Sequence, residues 1–142
     1  MSLMKIFPPA LAVTLILTTL ALAGCSQEKD RSDALKAADR IHSFAKKQDF
    51  ASIYREASDS FKQEGDESKF VESMRAIHDS AGALKGAKPV AYQQTLDSNV
   101  GKQHVLIFDV EFERARGRER LLFARTESGE MRLWDIVIEP VN

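Results

Sequence analysis

The chain has 142 residues, with 20 lysines and arginines against 21 aspartates and glutamates, for a formal net charge of −1. So even a balance gives no electrostatic footprint for nucleic acid or for a strongly acidic substrate. One cysteine excludes a disulfide within the chain, and the length suits a single domain that rests on packing alone.

Met1 to Lys5 makes a positive start, and Ala10 to Ala23 reads ALAVTLILTTLALA, without a charge. Such a run has the length of the apolar region of an export signal, and falls short of the roughly 20 residues a spanning helix needs. Glu28, Lys29, Asp30 and Arg31 follow directly, where no membrane core would accept them. Two cuts compete. Ala21-Leu22-Ala23 is a small-x-small triplet, after which an ordinary signal peptidase would leave a soluble chain with a lone thiol. The alternative is Leu22-Ala23-Gly24-Cys25, which resembles the lipobox of bacterial lipoproteins. In that family the cysteine sulfur takes diacylglycerol and a dedicated peptidase cuts just before it. An exported chain meets an oxidising compartment, where a spare thiol is a liability, and this favours lipidation of Cys25. Stable anchoring takes two acyl chains or more, which a lipoprotein anchor supplies. The resemblance implies a signal peptide over residues 1–24 and an outer-membrane address facing the periplasm. The address comes from Ser26, which stands where an aspartate would retain an inner-membrane lipoprotein, and it applies if the source is Gram-negative.

Residues 25–32 are polar and aperiodic, and read as a lipidated tether; the domain is expected over 33–142. From Asp33, Ala34, Ala37, Ala38, Ile41, Phe44 and Ala45 share one helical face. A second helix is expected in DFASIYREASDSF, with Phe50, Ile53, Tyr54, Ala57 and Phe61 in helical rhythm and Asp49 as cap. The third runs from about Glu67 to Ala81 through Phe70, Met74 and Ile77, and Gly82 is placed to end it. Beyond Gly86 the period falls to two. Val90, Tyr92 and Leu96 belong to a first strand, and Asp97 to Gly101 is a turn. His104 to Arg114 is the strongest strand, with Leu106, Phe108, Val110 and Phe112 on one apolar face. Its other face passes from Val105 and Ile107 to Asp109, Glu111 and Glu113. A third strand passes through Leu121, Leu122 and Phe123, and a fourth spans Met131 to Glu139, with Trp134, Ile136 and Ile138 on one side. Short links imply antiparallel neighbours, hence an α+β domain: three N-terminal helices packed on one face of a curved four-stranded antiparallel sheet.

This order of elements, with QDFASIYREASDSF and FVESMRAIHDSAGALK, resembles the nuclear transport factor 2-like (cystatin-like) superfamily, in particular its small bacterial lipoproteins. The resemblance covers about Asp33 to Glu139. It implies a long first helix across a curved sheet, a conical pocket between them, and an open sheet face used for dimers. The fold carries isomerases, hydratases, ligand binders and adaptors alike, so chemistry has to be sought in particular residues.

His42 and His78 fall at the edges of the first and third helical faces, either as an acid/base or metal pair leaning into one cavity or as boundary residues with wet tips. Two histidines without a third ligand give no metal signal, and no motif asks for a cofactor. Asp109 interrupts a strong strand, as a pocket base would, but shares its parity with Glu111 and Glu113 and so reads first as a solvent-facing acid. Tyr54 and Tyr92 match no oxyanion motif, and no catalytic residue transfers from the resemblance. Arg114, Arg116, Arg118 and Arg120, interleaved with Glu113 and Glu119, read as a charge-paired solvated hairpin before they read as an anion grip. Phe108, Phe112 and Trp134 are candidates for lining a ligand pocket or for plain core. The expectation is a lipid-anchored cell-envelope binding or accessory module without catalytic activity of its own. Its partners are the membrane, a protein partner or second copy at the sheet face, and a small apolar ligand. The alternative is a small isomerase- or hydratase-type acid/base enzyme using the cone.

Overall fold

A computed structural model describes residues 17–141, with side chains from residue 24 onward. The features read from residues 1–16, and the side chains of Leu22 and Ala23 in the lipobox, lie outside the described residues. The elements in order are α1 (Leu17–Lys46), α2 (Phe50–Glu56), α3 (Asp59–Gln63), α4 (Glu67–Ala81), β1 (Leu84–Asp97), β2 (Gly101–Phe112), β3 (Arg116–Arg125) and β4 (Met131–Pro140).

Two helical expectations are corrected. Residues 25–32 are not a loose tether but part of α1, which runs unbroken into the domain. Gln27, Glu28 and Lys29 are good helix formers, and Lys29 pairs with Asp33 one turn on at 2.9 Å. Asp30 is buried against the end of the sheet, so tertiary contacts hold what local pattern alone leaves undecided. The expected second helix is two, giving four helices in place of three among the described residues. Ala57 turns extended (φ −68°, ψ 167°), and Ser58 opens α3 by accepting from the Phe61 N–H at 3.2 Å. The Ser58 N–H in turn donates to the Leu133 carbonyl at 2.8 Å, which ties the break to β4. Gly82 ends α4 as expected, at φ +87°, where a Cβ would stand 2.7 Å from that of Glu113.

The four strands form one open antiparallel sheet in the order β1-β2-β3-β4. Leu106, Phe108 and Val110 of β2, with Leu121 and Phe123 of β3, meet Ala34, Ala38 and Ile41 of α1 in the core. Phe50 and Ile53 of α2 and Met74 of α4 complete it. Among the described residues the opposite sheet face is bare of helices, and it carries the ion pairs Arg118–Asp109 (3.0 Å) and Arg120–Asp135 (3.1 Å). Three irregularities mark the edge strands, the first at the start of β1 between Leu84 and Gly86. On β1 the register slips between Pro89 and Ala91. On β4, Leu133 faces Phe123 and Asp135 faces Leu122, so Trp134 is the extra residue. This corrects the fourth strand. Met131 and Leu133 pack inward before the bulge, Ile136 and Ile138 after it, and Trp134 does not share their side.

Candidate functional site

β3 alternates Gly117, Glu119, Leu121 and Phe123 inward, so Glu119 points into the core between the arginines on either side of it. There its Oε2 lies 2.5 Å from His42 Nε2, a hydrogen bond between carboxyl and imidazole across the helix–sheet interface. Both side chains are buried, at 8% and 5% exposure. The His42 and Phe108 rings pack T-shaped, with centroids 4.7 Å apart and planes at 85°. Beside Glu119 is a cavity of about 30 Å³, lined also by His78, Phe50, Met74, Phe112 and Ile138. So His42 and His78 do approach one interior, but only His78 and Phe112 border the free space; His42 reaches it through Glu119 and Phe108 is plain core. Glu119 was assigned to a solvated hairpin by its neighbours. Its parity with Leu121 and Phe123 was the signal that placed it inside.

Other candidates fall elsewhere. Asp109 is exposed and paired with Arg118 on the bare face, away from the cavity. Arg114 donates to the Asp79 carbonyl at 2.8 Å, and Arg118 and Arg120 hold Asp109 and Asp135, so three of the four hairpin arginines bind acceptors of this chain. Trp134 lies outside the core beside Ser58, Asp59 and Ser60 at the start of α3, where it lines a surface cleft of about 390 Å³ and not the interior cavity. The Tyr54 hydroxyl donates to the Gly65 carbonyl at 2.7 Å and closes the loop before α4.

A second polar group gathers where α1 meets the open ends of β1, β2 and β3. Asp30, only 6% exposed, accepts from Arg125 Nη2 (2.7 Å), Gln94 Nε2 (3.2 Å) and Lys102 Nζ (3.2 Å). Burial pushes its carboxyl upward, but the Arg125 and Lys102 bonds outweigh that and hold it below the ordinary value. Arg125 also grips Asp33 at 2.7 Å and, with Lys29, holds that carboxyl down to about 2. Next to them His104 is fully buried, its Nδ1 3.0 Å from the Tyr92 hydroxyl and its ring stacked on the tyrosine at 12°. Its Nε2 is the one buried side-chain nitrogen or oxygen without a partner among the described residues. Burial drives its pKa below the ordinary 6.5, against the opposing pull of Asp30. His104 carried no sequence signal beyond its place at the start of a strand.

Gly24 and Cys25 are both exposed, in the stretch of α1 that precedes its first contact with the sheet. Among the described residues no three His, Cys, Asp or Glu side chains gather as metal ligands, and no helix is long and apolar enough to cross a membrane. Compared with known proteins, the chain matches no family model and no curated sequence.

Proposed function

We propose that this is a lipid-anchored accessory module of the cell envelope, built on a nuclear transport factor 2-like cone, that works by docking a protein partner and has no catalytic activity of its own. The observation that carries the reading is the filled interior. Beside the buried His42–Glu119 pair the free space is about 30 Å³, room for about one water and far below the roughly 300–1,000 Å³ of small-molecule sites. A filled cone leaves the outside of the domain to do the work, and the bare sheet face offers Val105, Ile107, Leu122 and Val137, all half-buried, between its ion pairs. The anchor is supported by the exposed Gly24-Cys25 junction ahead of the domain and by the lipobox it completes. Ser26 directs the mature protein to the outer membrane, facing the periplasm, in a Gram-negative cell.

One observation favours the enzyme reading: a buried carboxylate held by an imidazole is the equipment of an acid/base isomerase or hydratase. It requires the cavity to open around Glu119. Native mass spectrometry of the protein extracted from its own membranes separates the two. The expected result is acyl mass on Cys25 with no retained small molecule. A small metabolite held in the folded protein would move the function to the cone. A covalent mass matching a cut after Ala23, without acyl groups, would remove the anchor.

A further inference from the structure

We propose that the domain stands end-on against the bilayer, with the β1–β2 turn resting in the lipid interface beside the anchor. The inference rests on the lipid-anchored reading of Cys25 and adds an orientation and a membrane-contacting surface to it.

The first support is the absence of slack. α1 is continuous from Cys25 to Lys46, so the lipidation site and the domain belong to one helix. The second is alignment. α1 bonds β3 at three residues, Asp30 and Asp33 on Arg125 and His42 on Glu119, with Asp30 and His42 the outermost. Between these contacts the helix advances about 18 Å at about 1.5 Å per residue, and β3 advances about 20 Å at about 3.3 Å per residue. Helix and strand therefore run nearly along one another, in opposite senses. Distances beyond Asp30 can then be compared directly. From Asp30 back to Cys25 is about 7.5 Å of helix. From Gln94, which bonds Asp30, to the turn at Asp97 is about 10 Å of strand. The anchor and the turn end at the same level.

The third support is what that turn carries. Leu96 is 84% exposed, the most exposed large hydrophobic side chain among the described residues, and Val100 closes the same turn. Asp97 Oδ1 accepts from the Asn99 and Val100 N–H groups at 2.8 and 3.0 Å, so the turn is preformed and its acid is occupied within it. Lys102, the register partner of Leu96, and Lys29 stand at this end of the domain, each paired with an acid of the chain, Asp30 at 3.2 Å and Asp33 at 2.9 Å. Leu96 projects beside the exposed polar Ser98-Asn99 tip, and an exposed apolar side chain next to polar groups fits the shallow boundary between acyl chains and headgroups.

The test labels the turn in the lipidated full chain. Leu96→Cys, and separately Glu111→Cys at the opposite end of β2, would each carry a fluorophore on the only free thiol. The proteins are placed in vesicles of phosphatidylethanolamine and phosphatidylglycerol after intact mass has established the acyl groups. At position 96 the label should be quenched severalfold more by brominated lipid, and severalfold less by iodide, than at position 111. A Gly/Ser spacer of about 10 residues between Ser26 and Gln27, spanning about 17 Å on average, should restore iodide access at 96. Equal iodide access at both sites in acylated protein overturns the end-on arrangement and leaves the anchor standing. Absence of acyl mass removes the anchor, and the orientation falls with it.

Discussion

His42 and His104 are both taken out of water, and their neighbours treat them differently. His42 has a carboxylate 2.5 Å from its Nε2, while the Nε2 of His104 has no partner. A buried pair of this kind contributes little against an apolar pair of equal size, yet losing one member leaves the other stranded. Glu119→Leu alone is therefore expected to cost about 3–5 kcal/mol in a urea titration. Joining it to His42→Leu should recover most of that loss. If the double variant is no more stable than the single one, the pair does more for the fold than balance its own burial.

At the scale of elements, the bulge at Trp134 decides what that side chain is worth. A fully buried aromatic cut back to alanine loses about 3–5 kcal/mol. Trp134 is only partly buried, beside the start of α3, so Trp134→Ala should cost less than about 2 kcal/mol, read as a small fall in melting temperature. A loss in the upper range would return it to the core. The four strands, the β1–β2 turn, α4 with its ending glycine and the apolar face of β2 were legible, because alternation and helical spacing follow directly from which face is buried. The bulge was not legible. A single extra residue changes which parity faces inward, and nothing in MRLWDIVIE marks where the extra residue sits. The break between α2 and α3 was hidden for a related reason: Ser58 leaves the helix to bond Leu133, a partner 75 positions away. Of the candidate site, His42 and Cys25 were visible as residues, whereas Glu119 was masked by the charge of its neighbours and Asp30 by a tether-like composition.

Over the whole molecule, acid should act in two stages. An unfolded imidazole takes its proton near 6.5, and burial holds His104 below that in the fold. The unfolded chain then binds the extra proton first, so stability declines as pH falls through 6.5. Asp30 and Asp33 behave as depressed carboxylates, Asp33 at about 2 against an ordinary 3.8. Their contribution is present above 3.8 and is lost as pH falls from there toward 2. Melting temperatures from neutral pH downward should show both declines, and His104→Gln should flatten the first while leaving the second. A single decline confined to low pH, unchanged by that substitution, would show that His104 is not held neutral. The bulges have another effect, felt between molecules and not within one. Both edges of the sheet, β1 and β4, are free to meet a neighbouring strand. Pro89 offers no N–H and the slip beside it kinks the row on β1, while Trp134 does the same on β4 and Pro140 ends it. Edges interrupted in this way resist the edge-to-edge strand pairing that propagates into aggregates, so copies of the domain can be concentrated without joining their sheets.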